Sequence, residues 1–203
     1  CLEEVDRLST LVADLLFLAR SDSGNVHISH APVNLTSVLH EAGAALQALA
    51  ETSHTALVFS AATDVWTPGS ASMLFRLIFN LGENAIKYTP DGGLVELTLE
   101  QAEGRAKLCV KDTGPGIAPA EQKHIYDRFY RGDPARGRGG TGLGLALTRS
   151  IVLAHDGQIS VNSILGKGSC FMVQLPLVPQ DTPRTEQEDG EGEGQQVGGE
   201  TVR

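Results

Sequence analysis

The chain has 203 residues, 41% hydrophobic and 20% charged, with a formal net charge of −9 at neutral pH. The last 23 residues hold seven acids against two bases; removing them from the total leaves −4 for residues 1–180, an acidic balance that argues against a nucleic-acid-binding body. No apolar run reaches the roughly 20 residues of a bilayer-spanning helix, and the cysteines Cys1, Cys109 and Cys170 are odd in number and lack metal-ligand spacing, which fits reduced thiols rather than a disulfide framework.

In chain order, Val5, Leu8, Val12, Leu15 and Ala19 recur at steps of three and four, which predicts a helix with one apolar stripe over residues 1–20. One strand of a helical bundle and an ordinary amphipathic helix packed on its own domain both satisfy that spacing. Ser21 to Pro32 reads as a polar connector, after which Thr36 is placed to cap a helix running to about Ser53. A strand is expected near Ala56 to Ser60. Pro68 and Gly69 then break the chain before an apolar helix, Ala71 to Tyr88, that Pro90 and Gly92–Gly93 terminate. Leu94 to Leu99 and Ala106 to Lys111 alternate as two strands joined by a turn at Glu103–Gly104. Residues 112–140 hold nine glycines and prolines and read as loop. A helix from Gly142 to His155 follows, then strands Gln158 to Asn162 and Ser169 to Pro176 around a turn at Gly166–Gly168. Residues 180–203 are Gly- and Glu-rich with almost no apolar anchor, so a disordered tail is expected. Helices interleaved with a mostly antiparallel sheet make the fold class α+β in two layers.

Four clusters carry chemistry. Asn80, Asn84, Lys87 and Tyr88 fall at i, i+4, i+7 and i+8 and share one helix face, offering neutral oxygen ligands beside phosphate donors, a set suited to magnesium phosphate. A solvated face with Lys87 as C-terminal cation meets the same spacing. Asp112-Thr-Gly114-Pro-Gly116-Ile117 follows a strand: glycines admit a flat ring, and the carboxylate can accept from an exocyclic amine such as adenine's, although a surface turn also uses this pattern. Gly140-Thr141-Gly142-Leu143-Gly144-Leu145 enters a helix whose first amides form an anion site. It is not a dinucleotide fingerprint, and Gly166-Lys167-Gly168-Ser169 is not a P-loop, because Gly168 stands where Ser or Thr should follow the lysine. Lastly, Lys123 to Arg138 carries a local +3 in an acidic chain, which suggests an anion nearby or simply a solvated loop. Tyr126 and Phe129 read as packing anchors of that loop.

In this order, the Asn-rich helix, DTGPGI, IYDRFYR, GTGLGL and GKGSCF resemble the N, G1, F, G2 and G3 boxes of sensor histidine kinases, over roughly residues 33–177. The resemblance implies the Bergerat ATP-binding fold shared with gyrase, Hsp90 and MutL: a two-layer α/β sandwich with a mixed, mostly antiparallel sheet and a mobile lid. It divides the chain into residues 1–22, the second helix of a truncated dimerisation and histidine-phosphotransfer domain; 23–32, a linker; 33–179, the catalytic ATP-binding domain; and 180–203, the tail. ATP and Mg²⁺ are the implied cofactors. Carried over by position, Asn84 is the implied Mg²⁺ ligand and Asn80 lies beside the triphosphate. Lys87 and Tyr88 contact phosphates, Asp112 binds adenine with Gly114, Gly116 and Ile117 along the ring, and Arg131 meets the γ-phosphate. Gly140, Thr141 and the amides of Gly142, Leu143, Gly144 and Leu145 hold phosphates, and Ser169 supports the adenine site through water. Asn80, Lys87 and Arg131 are the implied catalytic set.

Two departures refine the expectation. ATP-hydrolysing relatives usually carry Glu at the position of Asn80; a carboxamide cannot accept water's proton, which favours a kinase over an ATPase. Glu83 lies about 100° around the helix and does not take that role. The acceptor histidine of the family is followed by an acid and then a proline. His40-Glu41 lacks the proline and falls inside a helix of the ATP-binding domain, and His155-Asp156 closes another helix. The acceptor is therefore expected upstream of Cys1, and this piece is expected not to phosphorylate itself. The implied partners are its own dimerisation domain, a response regulator and, in the whole protein, a second copy; no nucleic acid or membrane contact is expected, and the setting is the cytoplasmic portion of a membrane-bound sensor. A nucleotide-responsive interaction module without catalysis is the rival reading.

Overall fold

The computed structural model describes residues 2–22, 28, 31–131 and 141–178. Its elements are α1 (Leu2–Asp22), β1 (Pro32–Asn34), α2 (Leu35–Thr52), β2 (Ala56–Ala61), β3 (Trp66–Pro68), α3 (Ala71–Tyr88), β4 (Leu94–Ala102), β5 (Arg105–Asp112), α4 (Gly144–Ala154), β6 (Gln158–Ile164) and β7 (Gly168–Pro176). Five strands form one sheet in the order β2-β4-β5-β7-β6, with β2 parallel to β4 and every other pairing antiparallel. The α+β class and the mixed, mostly antiparallel sheet are as expected. The tail, most of the linker and Gly140 lie outside the described residues.

Period-two alternation turns Val95, Leu97 and Leu99 of β4, Leu108 and Val110 of β5, and Val173 and Leu175 of β7 to one face. That face meets Leu39 and Leu46 of α2, Leu74, Leu77, Ile78, Leu81 and Ile86 of α3, and Leu147 and Ile151 of α4 in a single core. The other face carries Glu96, Lys107 and Lys111, and ion pairs link Lys111 to Glu96 at 3.3 Å and Lys107 to Glu103 at 2.8 Å. A sheet covered on one side only is the arrangement that alternating strands produce.

Two short strands escaped the sequence reading. β1 and β3 pair antiparallel, Val33 opposite Thr67, and the buried Thr67 hydroxyl donates to the Pro176 carbonyl at 2.8 Å, pinning this ribbon to the end of β7. At three residues each they are too short to show periodicity. The α2 cap also differs from expectation. Asn34, not Thr36, accepts from the Ser37 amide at 3.1 Å, whereas the Thr36 hydroxyl accepts from the Val65 amide and donates to the Thr63 carbonyl, both at 3.1 Å, latching the segment before β3. α4 begins at Gly144 rather than Gly142, because Gly142 takes φ +70.

Helix α1 packs on α4 through Leu18, Leu143 and Ala146, with Leu11 beside them, and forms ion pairs from Asp14 to Arg76 and from Asp22 to Arg128. Its docking face is therefore Leu11, Asp14 and Leu18, while Val12 and Leu15 of the apolar stripe remain 56% and 41% exposed.

Packing between α2 and the sheet is close at Gly43, where an added Cβ would lie 2.6 to 2.8 Å from three ring atoms of Phe59. Gly43→Ala gains about 1 kcal/mol of helix propensity but forces that ring out of its slot, an overpacking cost of about 1–3 kcal/mol. The expected outcome is a lower urea midpoint at unchanged m-value; a midpoint that rises would contradict this packing.

Candidate functional site

At the end of β5 the Asp112 carboxylate is buried, and its Oδ1 accepts from the Gly114 amide at 2.8 Å and the Ser169 amide at 3.2 Å. Register explains the second bond, since Asp112 pairs with Ser169 across β5 and β7. Burial raises the carboxyl above its ordinary pKa, and the Gly114 and Ser169 hydrogen bonds oppose that rise.

Glycine is obligatory around this acid. A Cβ on Gly168, at φ +98, would sit 1.9 Å from the Asp112 carbonyl oxygen; one on Gly116, at φ +69, would sit 2.2 Å from that of Ile164. The chain thereby folds the DTGPGI loop against the β6–β7 turn without intervening side chains. Two residues that the sequence reading did not single out tie this floor together. The Ser163 hydroxyl accepts from the Ile117 amide at 2.8 Å, donates to the Gly168 carbonyl at 3.0 Å and lies 3.0 Å from the Ser169 hydroxyl. The Gln122 carboxamide donates to the carbonyls of Ile117 and Ser163, at 2.9 and 3.1 Å. Neither position has a local pattern that marks it; both become meaningful only through tertiary contact.

Helix α3 supplies the second half. Asn80 Nδ2 is buried and lacks a hydrogen-bond partner among the described residues, an orphan that costs about 1–3 kcal/mol unless a ligand satisfies it. Asn84 Nδ2 lies 3.7 Å from the Cβ position of Gly144, so it stands beside the first turn of α4. The α4 cap residue, Leu143, makes no side-chain cap hydrogen bond, and the Thr141 hydroxyl accepts from the Leu143 amide at 3.4 Å. A positive helix end beside the Asn84 carboxamide makes an environment for a phosphate chain.

Lys87 sits with its ammonium 5.3 Å from the Tyr88 ring centre, and Tyr88 is 46% exposed. Its carbonyl faces Gly114, where an added Cβ would approach it to 3.0 Å, bringing the end of α3 against the adenine-side loop. Leu145 is half-buried on α4. Arg131 is exposed and forms no hydrogen bond or ion pair among the described residues. Phe129 does not act as a packing anchor: it is 62% exposed at φ +60, and its amide donates to the Gly142 carbonyl at 3.0 Å. Tyr126 does pack on the core, its hydroxyl buried.

A buried acid at a strand end, glycines facing it and an uncapped helix start beside an Asn-bearing helix agree with the family model described as "Histidine kinase-, DNA gyrase B-, and HSP90-like ATPase", which matches residues 69–179, just over half the chain. The chain belongs to this family. Among curated relatives, the sensor histidine kinase RppB of Synechocystis is 42% identical over 84% of this chain and 38% of its own length. The histidine-protein kinase/phosphatase MprB of Mycobacterium avium is 36% identical over 95% of this chain and 38% of its own. The chain thus spans under half the length of these relatives. Among solved structures, a mycobacterial sensor histidine kinase MprB matches at a TM-score of 0.64 and 31% identity, covering 74% of this chain and 99% of that one. Full-length ShkA in complex with AMPPNP matches at 0.75 and 29%, covering 86% of this chain and 37% of that one. Family membership makes the fold an ATP-binding one, and no helix among the described residues is long and apolar enough to cross a membrane.

The raised Asp112 pKa has a stability consequence. A carboxyl raised on folding contributes stability that is present below its unfolded pKa and lost as pH rises through the folded one. Asp112→Asn keeps an oxygen for both amides and removes the buried charge. It is expected to be at least as stable as the parent at pH 7, the difference shrinking as pH falls through the carboxylate range; chemical denaturation across pH 3–7 checks this. A variant less stable at neutral pH, with no pH-dependent difference, would contradict it.

Proposed function

We propose that this chain is the catalytic ATP-binding part of a sensor histidine kinase, transferring the γ-phosphoryl group of ATP to a histidine on a dimerisation domain for relay to a response regulator. The observation that carries the reading is the orphaned Asn80 carboxamide next to Asn84 and the uncapped start of α4.

In this reading Asp112 accepts from the adenine amine, with Gly114, Gly116 and Ile117 along the ring and Ser169 beneath. The amides of Gly142, Leu143, Gly144 and Leu145 receive phosphate oxygens; Gly140 would join them from outside the described residues, with Thr141. Lys87, Tyr88 and Arg131 offset phosphate charge. Among the described residues no cluster of His, Cys, Asp or Glu could hold a metal. Mg²⁺ nevertheless fits, because it favours few protein oxygens plus substrate phosphates, and Asn84 with Asn80 offers neutral oxygens at the place the phosphates would occupy. Bound there, the ion would neutralise charge on the transferring group. The chain's own residues do the rest: they align the triphosphate for in-line attack by a histidine nitrogen, and the lid excludes water. The carboxamide of Asn80 takes no proton, so water is not activated as a nucleophile. Residues 1–22 are read as the second helix of the dimerisation domain, its exposed Val12 and Leu15 left for a bundle partner.

The test supplies radiolabelled ATP, Mg²⁺ and a separate dimerisation domain bearing an acceptor histidine. Acid-labile label on that domain is expected, reduced at least about 100-fold by Asn84→Ala, with phosphate release to water slower than transfer. Phosphate release without label on the acceptor would replace the kinase reading with an ATPase.

A further inference from the structure

The nucleotide site leaves one reactive cluster unused. Cys109 on β5 and Cys170 on β7 are 61 residues apart in sequence, and their sulfurs are 2.7 Å apart. The register pairs Cys109 with Met172 and Cys170 with Lys111, so the cysteines are diagonal neighbours on adjacent antiparallel strands. Both alternate away from the core-facing Leu108, Val110, Phe171 and Val173, onto the sheet face that the helices leave open, and both are partly exposed. Their separation is within about 0.7 Å of the sulfur–sulfur bond length. A metal is not the explanation, since no third ligand joins them among the described residues.

We propose that Cys109 and Cys170 form an oxidisable pair that peroxide-class oxidants close into an intrachain disulfide, covalently joining the two strands that carry Asp112 and Ser169. The pair is polarised for this chemistry. Cys170 is drawn down to about 7 by the hydrogen bond from the Cys109 thiol and by the nearby Lys111 ammonium, while the same contact and burial push Cys109 up. Lys111 stands directly opposite Cys170 in the register, which favours Cys170 as the thiolate and Cys109 as the proton donor. The Cys170 sulfur attacks one peroxide oxygen; an S–O bond forms, the O–O bond breaks, and hydroxide leaves and takes a proton to become water. The Cys109 sulfur then displaces that oxygen as a second water, using its own proton. The two sulfurs lose two electrons in total and the peroxide gains them. A reducing thiol reverses the step by exchange. The closed ring spans residues 109–170, and so holds the DTGPGI loop, α4 and β6 between its ends.

The experiment uses the full chain with Cys1→Ser, treated with stoichiometric hydrogen peroxide. Titratable thiols are expected to fall from two to none and return with dithiothreitol, and peptide mass spectrometry is expected to find Cys109 and Cys170 joined within one chain. In the Cys109→Ser variant, dimedone is expected to trap a sulfenic acid on Cys170; in Cys170→Ser, Cys109 is expected to label at least about tenfold more slowly. Thiols that survive peroxide, bonds only between chains, or equal labelling of the two single variants would each overturn the proposal.

Discussion

The carboxylate of Asp112 is the group around which the rest of the domain is arranged. It ends a buried strand, so its charge is held largely away from bulk water, and among the described residues the backbone amides of Gly114 and Ser169 donate to it. Providing those amides requires three glycines with no room for a Cβ, a β6–β7 turn folded beneath them, and the exact register of β5 on β7 that brings Ser169 opposite the acid. The apolar core exists to fix that register. Burying an acid without a counter-ion costs stability, and a fold keeps such a group where a ligand donor compensates it.

The same economy governs the helical side. α3 is amphipathic, yet it turns Asn80 inward with an unsatisfied carboxamide, and α4 begins without a cap. Leu143 links the start of α4 to the outlying helix, because it is both the residue at the α4 cap and a member of the apolar cluster with Leu18 of α1. A shift of α1 on α4 therefore acts directly on the start of α4. The Asp14–Arg76 and Asp22–Arg128 ion pairs add charge to the same docking face, on α3 and on the lid side respectively.

Much of this was legible in the sequence because its signals are local. The α3 pattern, the alternation of β4 and β5, and the glycines of DTGPGI and GTGLGL report on neighbours within a few residues. Residue pairs 100 positions apart leave no such trace. Thr67 bonding Pro176 depends on how distant segments meet, and so, at shorter separations, do Ser163 bonding Ile117 and Thr36 bonding Thr63 and Val65. Phe129 misled for a related reason: spacing three residues from Tyr126 suggests a shared face, but a left-handed backbone at Phe129 turns it outward. Five motifs in order pointed to one family and the family model agrees, whereas the roles of the individual residues rest on chemistry that geometry alone supports.

Competition between ATP and inosine triphosphate, measured by calorimetry with Mg²⁺ present, tests the central claim most directly. The two differ at the position facing Asp112, where an amine donor becomes a carbonyl acceptor. A buried carboxylate that has already used backbone donors gains a partner from the first and a repulsive acceptor from the second, so ATP is expected to bind at least about 100-fold more tightly. Equal affinity for the two would contradict the assignment of Asp112 as the adenine acceptor, and with it the account of why the fold buries an unpaired charge.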